Sequence, residues 1–331
     1  MRAMNSKKNL SDKMPEPGSG TQVRWIEVSA DDAGQRLDNF LMRCYRKVPR
    51  TLIYRVIRKG EVRVDKGRVK PHRKLQAGEV VRVPPIRQPD SPEAAVIAQA
   101  QLDRIERSIV YEDADLLVLN KPSGVAVHGG SGLSWGVVEV LRRLRPYAKR
   151  MELVHRLDRD TSGCLLVAKK ASVLKALHAQ IRGDQLLKQY WALVAPHWPE
   201  SVTRVDLPLL KNTLQSGERL VKVSAEGKSS VSDFRCLETF ENADLVEVTL
   251  KTGRTHQIRV HAQASGAPVV GDEKYGDQAV NQRFRKQGMK RLALHARRLG
   301  FTHPVTGQWC ELEAPLHDDF SALLARMRGE R

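Results

Sequence analysis

Apolar positions first recur at helical spacing near the N-terminus, at Leu37, Phe40, Leu41 and Cys44, and again after Pro49 at Leu52, Ile53, Val56 and Ile57. Val62 and Val64 alternate ahead of a Lys66-Gly67 turn, and Val80, Val81 and Val83 predict a further strand before Pro84-Pro85. From Gln88 the pattern breaks. Pro89, Asp90, Ser91 and Pro92, followed by a run of Ala, read as a linker over residues 88–105. Beyond it, an acidic turn at Glu112-Asp113 leads into Leu116-Leu117-Val118-Leu119, a continuous run that predicts a buried strand ending at Asn120-Lys121-Pro122. Cys164 to Ala168 predicts another strand, followed by a helical stretch to Ile181. Lys188 to Val194 alternates, which sets Tyr190 and Ala192 on one face and Trp191 and Leu193 on the other. Thr255 is placed to cap a short helix running to about Ala264, with Gly266 at its end. The periodicity describes an α+β protein with many strands.

The chain has 331 residues, with 56 Lys and Arg against 38 Asp and Glu, a formal charge of +18. That length allows two or three domains. The charge favours association with nucleic acid or an anionic membrane. No apolar run approaches the roughly 20 residues that span a bilayer, which leaves nucleic acid as the expected partner. Residues 1–22 are polar and carry no signal-type segment, so they read as a disordered tail of a cytoplasmic protein. Cys44, Cys164, Cys236 and Cys310 lie far apart, without a C-x-x-C pair, and suggest buried free thiols rather than a disulfide framework or a thiolate metal site.

Charge is concentrated in one module. Between Arg36 and Asp90 there are 16 Lys and Arg and five Asp and Glu, a net of +11. Two short helices followed by small strands, carried by Arg36-Leu37-Asp38 and Arg55-Val56-Ile57-Arg58-Lys59-Gly60-Glu61-Val62, resemble an S4-type RNA-binding domain. Arg43, Arg46, Arg50, Arg55 and Arg58 could project from its helical pair toward phosphates, a contact that positions without reading sequence. A solvated basic face is the competing reading.

Chemistry is concentrated at residues 155–163, His-Arg-Leu-Asp-Arg-Asp-Thr-Ser-Gly, where the carboxylate of Asp158 is flanked by Arg156 and Arg159. Local ion pairs in a loop would account for such a cluster by itself. The segment is one residue off the His-Arg-Asp of protein kinases, but no Asn follows at the required offset and no Asp-Phe-Gly or Val-Ala-Ile-Lys occurs. The Gly-rich stretch Val127-His128-Gly129-Gly130-Ser131-Gly132 lacks the ending of a P-loop. His256 and His261, five apart, would lie roughly 140° apart on a helix and do not share a face for zinc.

The nine residues at 155–163 closely resemble the signature of the RluA family of pseudouridine synthases. So do Asn120-Lys121-Pro122-Ser123-Gly124, Lys188-Gln189-Tyr190, Gly253-Arg254-Thr255-His256, Gly271-Asp272-Glu273-Lys274-Tyr275-Gly276 and Leu294-His295-Ala296. The likeness extends over about residues 24–320. It implies an S4-like RNA-binding domain at 23–87, a catalytic domain at 106–320 built on a long mixed, mainly antiparallel sheet flanked by helices, and a C-terminal tail at 321–331.

The implied activity is isomerisation of specific uridines in 23S ribosomal RNA, free or in an assembling large subunit, by a monomer without cofactor or metal. By the same likeness Asp158 is the essential carboxylate and Arg254 its ion-pair partner. Tyr190 stacks on the uracil, Ile258 lines the pocket, and Arg156 fills the space left by a flipped base. Whether Asp158 attacks C1′, attacks the uracil ring or abstracts a sugar proton stays open. The rival class is a non-catalytic RNA-binding or ribosome-assembly protein. Phosphate binding alone would require none of these ordered segments.

Overall fold

The structure, a computed structural model, describes residues 22–45, 48–86, 97–129, 135–148, 150–213 and 219–330. The chain divides into two compact units, residues 1–94 and 95–331. The expected N-terminal tail lies outside the described residues except for its last position, and so do Arg46 and the stretch 130–134 of the Gly-rich segment.

In the first unit, β1 (Arg24–Glu27), β2 (Arg63–Val64), β3 (Gly67–Arg68) and β4 (Val80–Val83) form an antiparallel sheet in the order β1-β4-β2-β3. Helices α1 (Leu37–Cys44) and α2 (Arg50–Arg58) have the expected bounds to within a residue or two. Leu37, Phe40, Leu41, Ile53, Val56 and Ile57 pack with Val62, Val64, Val81 and Val83 in one core. The periodic positions are buried because a helix stripe and a sheet face each need an apolar partner.

The second unit opens with α3 (Gln99–Glu106), which corrects the linker expected over 88–105 from Gln99 onward. Leu102 and Ile105 are buried in the main core. Two apolar positions three apart are too few to register as periodicity, yet enough to anchor a two-turn helix once a core is present. There follow β5 (Ile109–Glu112), β6 (Leu116–Lys121), α4 (Val137–Leu144), β7 (Glu152–Leu153), β8 (Ser162–Ala168), α5 (Ala171–Arg182) and β9 (Leu187–Val194). Then come β10 (Arg204–Asp206), β11 (Leu209–Thr213), β12 (Arg219–Val223), β13 (Val231–Phe240), β14 (Ala243–Leu250), α6 (Gln257–Ala264) and α7 (Gln278–Lys286). Last are β15 (Leu294–Thr302), β16 (Trp309–Glu313) and α8 (Asp318–Met327). Helix α8 corrects the C-terminal tail expected from residue 321, since Phe320, Leu323 and Leu324 are buried in a core of their own with Leu193 and Phe284. Among the described residues no helix is long and apolar enough to cross a membrane.

Ten described strands make one mixed sheet, ordered β10-β13-β14-β9-β15-β8-β6-β5, with β16 on β15 and β7 on β8. Its pairings are antiparallel except at β15–β8. That parallel junction joins two antiparallel halves, and a single row of paired residues crosses it: Val248, Tyr190, Ala296, Gly163 and Lys121. Gly163 has φ 105°, and a Cβ there would stand 2.2 Å from the Ala296 carbonyl oxygen. Only glycine permits both the conformation and the approach.

At the end of this row Lys121 is fully buried. Its Nζ donates to the carbonyls of Pro122, Val125 and Arg159, each at 2.9 Å. Burial pulls the amine down to about 7, and three carbonyl acceptors offset that cost by engaging all three N–H groups of the ammonium. Ser123 Oγ donates to the Asp160 carbonyl at 2.6 Å, and the Gly124 N–H to Arg159 O at 2.9 Å. The loop between β7 and β8, which carries Asp158, is therefore fastened from below by the Asn-Lys-Pro-Ser-Gly segment.

Gly163→Ala is expected to cost about 3 kcal/mol or more in chemical denaturation, from left-handed strain and a backbone clash together. Gly253→Ala, where a Cβ meets nothing within 4 Å, is expected to stay within about 0.5 kcal/mol. Lys121→Met leaves three buried carbonyls without a donor and is expected to cost at least about 3 kcal/mol in the same assay.

Candidate active site

A cleft of about 1050 Å³ opens over the parallel junction, lined by the β7–β8 loop, the start of β9, the end of α5 and the segment from Leu250 to Arg259. Asp158, Tyr190, Ile258 and Arg156 all line it. Arg254 lines it as well, so the fold brings five of the residues named from the sequence to one place. The Asp158 side chain is 29 % exposed, open enough to meet a ligand. Tyr190, 8 % exposed, is held in the pleat beside Ala296. Burial, with the Asp158 charge adding to it, pushes the Tyr190 phenol up. Ile258 is buried on the first turn of α6. Arg156 is exposed at the cleft wall.

Arg254 does not pair with Asp158. Its Nε donates to the Ser229 carbonyl at 3.0 Å and its backbone N–H to Gln257 Oε1 at 2.9 Å. The guanidinium beside Asp158 belongs to Arg259, whose Nη1 stands 3.5 Å from Oδ2. His256 and not Thr255 caps helix α6, one residue later than expected, and Gln257 Oε1 also accepts from Thr252 Oγ1 at 2.8 Å, holding the segment before the helix. Both arginines line the cleft, but Arg254 is exposed on the approach to the helix, while Arg259, inside the helix, is buried beside Asp158. The expected flanking of Asp158 by Arg156 and Arg159 is corrected as well. Arg159 pairs with Asp160 at 3.3 Å, and no ion pair joins Arg156 to Asp158 among the described residues.

Arg259 is fixed by a second carboxylate. Its Nε and Nη2 donate to the two oxygens of Asp272, each at 2.7 Å. Asp272 Oδ1 also accepts the N–H groups of Lys274 and Tyr275 at 2.9 and 3.0 Å. Burial works against the guanidinium charge, but the Asp272 bonds outweigh it and raise the Arg259 pKa. Burial likewise opposes the Asp272 charge, and Arg259 with the two N–H groups holds its carboxyl below the usual range. The Tyr275 ring lies 5.0 Å under the same guanidinium. A buried pair with its remaining hydrogen bonds satisfied is rigid. It presents the one free edge of Arg259 to Asp158. His256 is the other neighbour, with Nε2 3.9 Å from Asp158 Oδ2.

Sequence reasoning missed Arg259, Asp272, Tyr275 and His256 as a group. Asp272 and Tyr275 were visible only as parts of a family-like segment, and Arg259 only as a helix position three residues before Ala262. His261 serves structure, within 3.0 Å of both Ser230 and Ser232 hydroxyls. Asp113, Asp115 and His303 bring ligand atoms within 4.8 Å of one another, away from the cleft lining. Protein groups already answer them, since Asp113 takes the N–H of Asp115 and Leu116 and Lys170 pairs with Asp115. In the first unit, Arg50, Arg55 and Arg58 are exposed on α2, with Arg50 and Arg58 at 6.0 and 5.8 Å from the Tyr54 ring centre. Arg43 is instead bound to Asp32 at 2.6 Å.

Comparison with known proteins agrees with this geometry. Residues 115–264 match the RNA pseudouridylate synthase family and residues 35–81 the S4 domain. Ribosomal large subunit pseudouridine synthase C of Haemophilus ducreyi is 51 % identical over 93 % of this chain and 97 % of its own. The protein of the same name from Escherichia coli K12 is 52 % identical over 93 % and 98 %. Among solved structures, human RNA pseudouridylate synthase domain containing 4 is 27 % identical over 69 % of this chain and 96 % of its own, with a TM-score of 0.57. Human RNA pseudouridylate synthase domain containing 1 gives 28 %, 65 %, 86 % and 0.53. Identity near one half, sustained along almost the full length of these enzymes and matched by the fold, establishes that the chain belongs to the RNA pseudouridylate synthase family.

Proposed function

We propose that this chain isomerises specific uridines of 23S ribosomal RNA to pseudouridine, with Asp158 as the essential carboxylate. The observation that carries the reading is the open cleft in which Asp158 faces Tyr190 and Ile258 while Arg259 orients it. Relatives about half identical over nearly their whole length are named for the large ribosomal subunit, which supports the choice of RNA.

In the reaction the N1–C1′ bond breaks, the uracil turns, and C5 bonds to C1′. A proton lost from C5 balances one gained at N1. Nothing is oxidised or hydrolysed, so the chemistry calls for no cofactor. The base must first leave its stack, which costs a few kcal/mol. Arg156, at the cleft wall, would fill the gap it leaves. Tyr190 would offer a ring face to the uracil, and Ile258 an apolar wall. Arg50, Arg55 and Arg58 would contact RNA phosphates, adding salt-sensitive affinity without sequence reading. Arg254, open to solvent, suits phosphate better than an ion pair with Asp158. The substrate is free RNA or an assembling subunit, met by a monomer in the cytoplasm.

The test uses unmodified 23S RNA carrying tritium at uracil C5, since forming the C5–C1′ bond expels the label into water. Wild type is expected to release it, and Asp158→Asn to release it more than about a thousandfold more slowly with RNA binding largely kept. Wild type that releases none, from free RNA and from a pre-ribosomal particle alike, would sink the reading in favour of an assembly factor. In the same assay Arg259→Lys, which keeps the charge but breaks the bidentate bond to Asp272, is expected to lower kcat about a hundredfold. Arg254→Ala is expected to raise KM and hold kcat within about threefold.

A further inference from the structure

A line of hydrogen bonds runs from the β11–β12 hairpin to the cleft. The Val221 N–H donates to Tyr275 Oη at 3.0 Å, and the same oxygen lies 2.8 Å from His256 Nδ1. The far nitrogen of that ring, Nε2, points to Asp158 Oδ2 at 3.9 Å. Tyr275 is 5 % exposed, so its one phenolic proton needs an acceptor inside the protein. Were the oxygen to accept from His256 as well as from Val221, that proton would have no partner among the described residues. A buried O–H left unpaired is costly, so the phenol donates to Nδ1. The proton of a neutral ring is then on Nε2, the side that faces Asp158. Burial, opposed by the Asp158 charge, holds His256 below the ordinary histidine range, which leaves the ring neutral at neutral pH.

Two further observations point the same way. His256 has φ 55° and ψ 19°, a left-handed conformation costly for a non-glycine residue, at the position just before α6. Both donors near Asp158, His256 Nε2 and Arg259 Nη1, converge on one oxygen, Oδ2. Oδ1 has no protein partner among the described residues.

We propose that His256 is a positioning residue for Asp158. Held as its Nε2–H tautomer by Tyr275, it acts with Arg259 to fix Oδ2 and leave Oδ1 turned to the substrate. The 3.9 Å separation closes to a hydrogen bond when RNA fills the cleft, as donor geometry around a reacting group commonly tightens on substrate binding. The inference rests on the reading of Asp158 as the essential carboxylate.

The test compares His256→Gln with His256→Met. Both are unbranched and of similar length, and both bear the same left-handed strain, but only Gln keeps an N–H donor near the place of Nε2. Thermal melts establish that each folds. Under saturating RNA, single-turnover tritium release is expected to fall no more than about threefold in His256→Gln and at least about tenfold in His256→Met, with RNA affinity unchanged. Nitrogen-15 shifts of the His256 ring are expected to show Nε2 protonated in wild type and a mixture of tautomers in Tyr275→Phe. Equal rates for the two His256 variants, high or low, overturn the proposal, and so does a wild-type ring protonated on Nδ1. Asp158→Asn is run alongside. Should it turn over like wild type, the reading of Asp158 fails; should it be inert while the two His256 variants match each other, only the role of His256 falls.

Discussion

Everything at the cleft depends on how closely two backbones approach at Gly163. A parallel pairing between β8 and β15 joins the antiparallel halves of the sheet, and it exists because no Cβ intervenes between Gly163 and Ala296. That contact sets the row from Val248 through Tyr190 to Lys121. It therefore fixes how far Tyr190 stands from the loop that precedes β8. Lys121 ties that loop to the segment after β6, since its Nζ donates to the Arg159 carbonyl in the loop and to those of Pro122 and Val125 in its own segment. Asp158 needs no rigid bonds of its own; the backbone beneath it is already held.

The electrostatics follow a similar division. Arg259 gives two of its nitrogens to a fully buried carboxylate, Asp272, and one to the cleft. An arginine committed to a permanent partner cannot swing away or be neutralised by solvent anions, so its remaining edge is a fixed donor. Tyr275 links the same assembly to His256 and to the β11–β12 hairpin. Asp158 is thus surrounded by groups whose orientations are already fixed by the protein, the kind of preorganisation that electrostatic catalysis requires.

The elements that were legible are those on which burial imposes a clear period. The runs at 116–119 and 164–168 became strands buried at every position, and the stripes at 37–44 and 52–57 became helix faces. Helices α3 and α8 were not legible as such. Their apolar residues are few, and the polar residues around them resemble linker and tail until a core exists for Leu102 or Phe320 to enter. At the cleft, Asp158, Tyr190, Ile258 and Arg156 stood out as parts of contiguous segments, and the fold assembles all four.

By itself the sequence determined the class of the protein, its basic RNA-binding module and its most periodic elements, because each of these is written in neighbouring residues or in a repeating period. Which arginine faces Asp158 was decided only in three dimensions. Arg254 and Arg259 are five residues apart in one segment, yet the first reaches the Ser229 carbonyl and the second the carboxylate. Asp272, 114 residues beyond Asp158 in the chain, then locks that choice. A long-range ion pair depends on packing between distant segments, and no local pattern encodes it.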